Sequence, residues 1–329
     1  MLEVIKDNTE KDIIVVLDVF NDIYSGLTKV SPIKVTKIRQ YAYATAVTRL
    51  YAIFEHFIEK TLSTYLDYLS ENKTFADLSP GLKREYRIGF SHVLSRIDQP
   101  RFSSLNHEDL IEKYHRAINE RVSNYQFIAE ALIRHDNNLR PNVLFELFSR
   151  LGLTGLETWL IMSAKEYGLY DSEERIKEQL ESELNNFIEV RNDSSHGVPE
   201  QIGSQSILQR HCELIFLLVS SITSFVEREI FMLLQMAGKT LKIGNITEVF
   251  NRAGASVAKV NEKSLISLSV NYVFEDSFNF YTQKFSTVKL NDDDVDAVFS
   301  ALDNNVEIGI KCDRLPKKKT KEGANKSLI

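Results

Sequence analysis

The sequence predicts a mainly α-helical protein, a helical bundle with an insertion of small helices, followed by a small β-barrel-like domain. Three observations carry this. Apolar residues recur three and four apart over long stretches near residues 41–69, 176–188 and 204–236. Short helical patterns separated by turn residues lie between the first two. Beyond Gly238 the period changes to short β-rich runs split by Gly, Asn and Asp. The expected division is a helical domain at 1–237 with its insertion at about 71–170, a β domain at 238–315, and a basic tail at 316–329.

From Tyr41 to Leu69 the stripe is Val47, Leu50, Tyr51, Phe54, Phe57, Ile58, Leu62, Tyr65, Leu66 and Leu69, one face of a long amphipathic helix. Shorter helices are expected after Ser79-Pro80-Gly81, around Asp109 to Val122 and from Asn142 to Leu151, with turns at Asp136-Asn137-Asn138 and Leu151-Gly152-Leu153-Thr154-Gly155. Asp171-Ser172-Glu173-Glu174 supplies an N-cap and an acidic first turn for a helix carrying Ile176, Leu180, Leu184, Phe187 and Ile188, which is expected to close at Arg191. Gly197-Val198-Pro199 breaks the pattern. A further helix from about Ser204 to Met236 places Leu208, His211, Leu214, Ile215, Leu218, Ile222, Phe225 and Leu233 on one broad face. Strand-like runs follow at Thr240–Phe250, Ser256–Val260, Leu265–Phe274, Phe278–Leu290 and Val306–Lys311.

Composition narrows the function classes. With 40 basic against 46 acidic residues the net charge is −6, so no bulk field attracts a polyanion and any nucleic-acid site must be local. Cys212 and Cys312 are too far apart in sequence to suggest a disulfide framework or a zinc site, which points to a reducing, cytoplasmic setting. The first residues show no secretory pattern, and the apolar run Leu214–Val226 is too short and too rich in Ser and Thr to span a bilayer, so no membrane role is expected. Phosphate-binding and hydrolase loops of the GxxxxGK[ST], GxGxxG and GxSxG types are absent. His56, His92, His107, His115, His135 and His211 have no carboxylate or thiolate at metal-binding spacing and are expected on helix surfaces or satisfied in the core. Asn291-Asp292-Asp293-Asp294 reads as a turn between a strand and a helix. No metal or cofactor is expected. Lys317, Lys318, Lys319 and Lys321 read as a solvated tail that would add salt-dependent contacts to phosphate.

The segment that carries chemistry is Arg191-Asn192-Asp193-Ser194-Ser195-His196-Gly197. An arginine closing a helix and a histidine five residues on, at a helix junction, are expected to lie close enough to act on one phosphate. Histidine takes and returns a proton near neutral pH, while arginine stays charged and braces two phosphate oxygens. Such a pair suits RNA cleavage, in which the ribose 2′-hydroxyl attacks the adjacent phosphorus. Asn192, Asp193 and Ser195 are supporting candidates that either orient the pair or cap the next element. As a bare pattern, the string also fits an ordinary helix C-terminus.

The context adds to it. Thr48-Arg49-Leu50-Tyr51-Ala52-Ile53-Phe54-Glu55-His56-Phe57 lies on an early helix, and Leu147-Phe148-Ser149-Arg150-Leu151-Gly152 lies in the insertion. Together with the motif they resemble the HEPN superfamily, in particular its RiboL-PSP-HEPN or MAE-28990-like branch, over about residues 41–237. The resemblance implies that Arg191 and His196 are the catalytic pair, with Asn192 as polar neighbour and Glu55 as a weaker supporting candidate. It also implies a homodimer whose two motifs share a composite cleft, with RNA as substrate. The activity so implied is that of a metal-independent endoribonuclease, a toxin or defence effector restrained by an antitoxin or other defence-system partner. The alternative is a non-catalytic HEPN module that binds RNA or acts as an adaptor. A second resemblance runs from Ile243-Gly244-Asn245-Ile246 through Val257-Ala258-Lys259-Val260 to Val306–Asp313. It is similar to the second-domain barrel of translation elongation factors, although Ile266-Ser267-Leu268-Ser269 stands where that family has a Gly-Asp turn. It implies a module that binds RNA, a ribosomal surface or a partner protein.

Overall fold

The computed structural model describes residues 2–27, 31–119, 125–135, 137–170, 175–196, 204–240, 242–261, 264–275, 280–299, 306–312 and 327–328. The chain divides into two compact units, Met1–Ile230 and Phe231–Ile329. No helix among the described residues is long and apolar enough to cross a membrane.

The first unit is helical. Helix α1 (Glu3–Gly26) packs on α2 (Pro32–Asn72), and α2 packs on α8 (Ile176–His196). Ser31 is extended and Pro32 takes the first helical position of α2, where its missing N–H leaves nothing unpaired. The buried face of α2 is the stripe expected from the sequence, with Val47, Leu50, Phe54, Phe57, Ile58 and Leu62 fully covered. At roughly 1.5–3 kcal/mol for each large apolar side chain buried, this face outweighs any propensity term in holding the helix. Helix α2 nonetheless begins nine residues before the expected start, and α1 has no counterpart in the expectations. Both discrepancies fall on segments rich in β-branched residues, whose buried positions in α1 (Thr9, Ile13, Val16, Phe20) alternate with exposed Ile14, Val15 and Val19.

The insertion comprises α3 (Pro80–Leu94), α4 (His107–Ile118), α5 (Ala129–Leu132), α6 (Pro141–Arg150) and α7 (Leu156–Tyr167). Ser79 Oγ accepts the Leu82 N–H at 3.2 Å to cap α3, and Asn106 Oδ1 accepts the Asp109 N–H at 2.8 Å to cap α4. Gly89 lets α3 approach α5 backbone to backbone, since a Cβ there would overlap the Ala131 carbonyl. The last helix, α9 (Gln205–Met236), turns its apolar face inward. Trp159 of α7 donates from Nε1 to the Ser221 carbonyl at 2.9 Å and packs on Phe225. The expected cap at 171–174 and the break at 197–199 lie outside the described residues.

The second unit holds ten strands among the described residues: β1 (Gly244–Phe250), β2 (Ala255–Val260), β3 (Leu265–Ser267), β4 (Asn271–Glu275), β5 (Phe280–Lys284), β6 (Thr287–Leu290), β7 (Asp293–Val295), β8 (Ala297–Phe299), β9 (Val306–Lys311) and β10 (Ser327–Leu328). Eight form an antiparallel sheet in the order β5-β4-β10-β1-β2-β9-β6-β7, and β3 pairs with β8 as a separate ribbon. The expected barrel is corrected to small antiparallel sheets. Among the described residues the large sheet ends on β5 and β7, which bond on one side only, so the ladder does not close. The residues after Leu290 are corrected as well. Asn291 (φ 52°) and Asp292 (φ 71°) form a two-residue hairpin turn from β6 into β7, a strand where a helix was expected. The core of this unit contains Val260, Ile266, Val288, Ile308 and Ile310, with Tyr272 stacked on Phe285. Of the tail, only Ser327–Leu328 is described, as β10 between β1 and β4, and the lysines at 317–319 and 321 lie outside the described residues. The thiols of Cys212 and Cys312 are both buried.

Candidate active site

Helix α8 does not close at Arg191. It continues through the motif to His196, because residues 191–196 contain neither Gly nor Pro and the helix can propagate. Ser194 and Ser195 donate back to the Val190 and Arg191 carbonyls at 2.7 and 2.9 Å, so their hydroxyls are spent within the helix rather than on a cap. A step of five residues along an α-helix rotates by about 140°. Positions 191 and 196 therefore lie on different faces of α8. The side chain of His196 lies outside those described.

Arg191 is half-buried and held by neutral groups. Its Nη1 donates to Asn138 Oδ1 at 3.1 Å and to Asn192 Oδ1 at 3.2 Å, while Asn138 Nδ2 donates to Asn192 Oδ1 at 2.8 Å. Its guanidinium carbon lies 4.5 Å from the centre of the Tyr51 ring. Its Nε is buried without a hydrogen-bond partner among the described residues, and no described carboxylate pairs with it. The cation is thus oriented but not neutralised.

Beneath it, Tyr51 of α2 accepts the Leu139 N–H at 3.1 Å and donates to Glu55 Oε1 at 3.3 Å. Burial pushes the phenol up to about 12, so the hydroxyl stays a donor at any ordinary pH. Glu55 and Glu59 follow on the same face of α2, one and two turns on. They flank the His135 ring, with Nδ1 3.9 Å from Glu55 Oε1 and Nε2 3.8 Å from Glu59 Oε1. Neither separation is a hydrogen bond, so the attraction is coulombic. Nδ1 also meets the Asn137 carbonyl at 3.1 Å. The imidazole is held above its usual range by Glu59 first, against burial, with help from the Asn137 carbonyl and Glu55. Glu59 is held below the usual carboxylate range, chiefly by His135.

The segment between α5 and α6, which bears both His135 and Asn138, is pinned by three arginines. Arg150 Nη1 donates to the Leu132 and Arg134 carbonyls at 3.3 and 2.6 Å, and Arg134 Nη2 pairs with Glu85 at 3.0 Å. Arg101 donates to the His135 carbonyl at 3.3 Å. A loop fixed in this way positions Asn138 much as a regular element would.

The family model described as RiboL-PSP-HEPN matches residues 10–228, more than half of the chain. The chain belongs to the RiboL-PSP-HEPN family. HEPN families include ribonucleases and RNA-binding modules, which is the functional range this membership assigns. The match begins within α1, ahead of the stretch on which the resemblance was drawn, and leaves the β unit outside. No curated protein and no solved structure matches the chain.

Of the HEPN motif residues singled out from the sequence, Arg191 and Asn192 meet in one hydrogen-bonded cluster, and Glu55 touches its edge through Tyr51. Asp193 and Ser195 are exposed, and the Ser195 hydroxyl bonds the Arg191 carbonyl and not its guanidinium. Sequence reasoning missed Asn138, read only as a turn, and Tyr51, read only as part of the apolar stripe. It also set aside His135, whose ring is only 8% exposed and sits between two carboxylates, not on a helix surface. One signal was available: Tyr51, Glu55 and Glu59 are spaced by four, a polar seam beside the apolar one.

Proposed function

We propose that the protein is a HEPN endoribonuclease that cuts RNA without a metal ion, acts as a homodimer and serves as a toxin or defence effector restrained by a partner protein. The observation that carries the proposal is the state of Arg191: a guanidinium stacked on Tyr51, braced by two asparagine oxygens and left with its charge unpaired among the described residues. Drawing a cation partly out of water without a carboxylate beside it costs stability. This one is set up for an anion that arrives from outside, as an RNA phosphate would.

In the proposed reaction His196 takes the proton from the ribose 2′-hydroxyl, whose oxygen attacks the adjacent phosphorus as the P–O5′ bond breaks, and the departing 5′ oxygen takes up a proton from solvent. Arg191 stabilises the charge on the non-bridging oxygens. The products are a 2′,3′-cyclic phosphate on the upstream fragment and a 5′-hydroxyl on the downstream one. DNA lacks the nucleophile and is not cut. The separation of positions 191 and 196 around α8 favours a site in which Arg191 of one copy works with His196 of a second.

Incubation of the purified protein with structured and single-stranded RNAs in EDTA tests this directly. Cleavage by the wild type, lost in Arg191→Ala and in His196→Ala, is the expected result. Equal cleavage by His196→Ala overturns the site. A wild type that binds RNA tightly but cuts none replaces the enzyme with a non-catalytic RNA-binding module. Mixing the two alanine variants tests the composite site. Random subunit exchange makes half of the dimers mixed, each with one intact site of two, so about one quarter of wild-type activity returns if the site spans two copies and none if it does not.

A further inference from the structure

We infer that His135 is a positioning residue for Arg191, an imidazolium clamped between Glu55 and Glu59 that docks the Asn138-bearing segment onto α2. Nδ1 faces the Asn137 carbonyl at 3.1 Å, an acceptor only, so it carries a proton. Nε2 faces the Glu59 carboxylate at 3.8 Å, also an acceptor only, and a lone pair aimed at it would be repelled. Both nitrogens are best served by the doubly protonated ring. The charged groups that face it among the described residues are Glu55 and Glu59, with His56 near Glu59 on α2, and Arg101, which bonds the His135 carbonyl. The two carboxylates outweigh the cations, and the ring is held above its usual range accordingly.

The link to Arg191 is short. His135 lies three residues before Asn138, whose side chain bonds both Arg191 and Asn192. Glu55 connects the other way, through the Tyr51 hydroxyl, to the ring on which Arg191 rests. Loss of the proton from His135 removes its attraction to α2 and loosens the Asn138 brace from one side and the Tyr51–Glu55 contact from the other. The brace is therefore firmest at low pH and weakens as pH rises through the raised value of His135, while the arginine contacts to the segment remain. The consequence for RNA cleavage rests on the ribonuclease reading above, whereas the consequence for Arg191 itself does not.

The test uses the full chain labelled with 15N-histidine and 15N-arginine. The expected result is that the His135 ring titrates above its usual range near 6.5, and that the Arg191 Nε–Hε resonance shifts with the same midpoint. Glu59→Gln lowers both midpoints together. An Arg191 signal that stays flat while His135 titrates, or a His135 that titrates at or below the usual value, overturns the inference. Cleavage adds a second readout: the wild-type rate falls as pH rises through the His135 midpoint, Glu59→Gln moves that fall to lower pH, and His135→Gln costs about tenfold at pH 6. A His135→Gln protein that is merely less stable, with the alkaline fall of the rate unchanged, also overturns it. If the resonances move together while the wild type cuts no RNA, the ribonuclease reading fails and the positioning role stands.

Discussion

Replacing Tyr51 by Phe isolates one oxygen atom beneath the candidate site. The ring stays, so the stack under Arg191 at 4.5 Å and the packing against Phe187 are retained. What is lost is the acceptor for the Leu139 N–H at 3.1 Å and a longer donation to Glu55 at 3.3 Å. Leu139 is fully buried, so its N–H has no water to turn to, and a buried donor left unpaired costs about 1–3 kcal/mol. The Glu55 contact is long and half-exposed and adds little. The expected loss is about 2 kcal/mol, which for a cooperative unit of this size lowers Tm by roughly 4–8 °C. Because the phenol is held up to about 12, its own ionisation plays no part in the loss between pH 6 and pH 8. Urea unfolding followed by far-ultraviolet circular dichroism measures it, with an unchanged slope showing that the unfolded state is not what moved. A loss under about 0.5 kcal/mol would mean that the Leu139 N–H finds another partner and that Tyr51 does not tie α2 to the Asn138 segment.

Other substitutions probe the same framework. His211 of α9 is buried against Phe187 and pushed down to about 4 by burial, from about 6.5 when unfolded. Its contribution is complete above pH 6.5 and is lost as pH falls toward 4. The wild type therefore loses about 2 kcal/mol more than His211→Leu between pH 7 and pH 5, read from urea midpoints, and parallel pH curves would refute this. Gly89→Ala drives a methyl group into the Ala131 carbonyl and costs about 3 kcal/mol or prevents folding. A cost of that size lowers Tm by well over 2 °C, so a smaller shift in a thermal melt contradicts the close approach of α3 and α5. Arg191→Lys keeps the charge but loses the planar stack and the shared bonds to Asn138 and Asn192, so RNA cleavage falls about tenfold or more while stability changes by under about 1 kcal/mol.

The sequence made the long helices legible because burial and periodicity coincide there: every residue of the stripe from Val47 to Leu69 is buried in α2. It did not make α1 legible, because exposed Ile14, Val15 and Val19 fill the gaps between buried Ile13, Val16 and Phe20 and erase the contrast on which a periodicity depends. The β strands were legible as a class but not in their limits. The run Leu265–Phe274 is two strands split by a turn, and Asn291-Asp292 is a hairpin turn whose two left-handed residues are the kind that tolerate it. Arg191 and Asn192 were legible because their motif is contiguous. Asn138 was not, since a residue 53 positions away from Arg191 meets it only through tertiary structure. His135 was invisible for the same reason. Its two carboxylates lie on α2, and a search for ligand spacing in the sequence around it finds neither.

The chemistry of the brace explains why it is built from amides. A carboxylate at position 138 or 192 would bind Arg191 more strongly than an asparagine does, since a charge-assisted hydrogen bond is roughly twice as strong as a neutral one. It would also consume the charge. A phosphate would then have to displace an internal partner before it gained anything, and the desolvated carboxylate left behind would be an uncompensated buried anion. Neutral oxygens at 3.1 and 3.2 Å and an aromatic face at 4.5 Å fix the direction of the guanidinium while leaving its field intact. The carboxylates of this region stand one and two turns further along α2, where they face His135 instead. Negative charge is thus kept near enough to hold the surrounding segment and far enough not to quench the cation. On the ribonuclease reading proposed above, the site gives up folding stability for this separation, and the Arg191 Nε, buried without a hydrogen-bond partner among the described residues, is where that cost is visible.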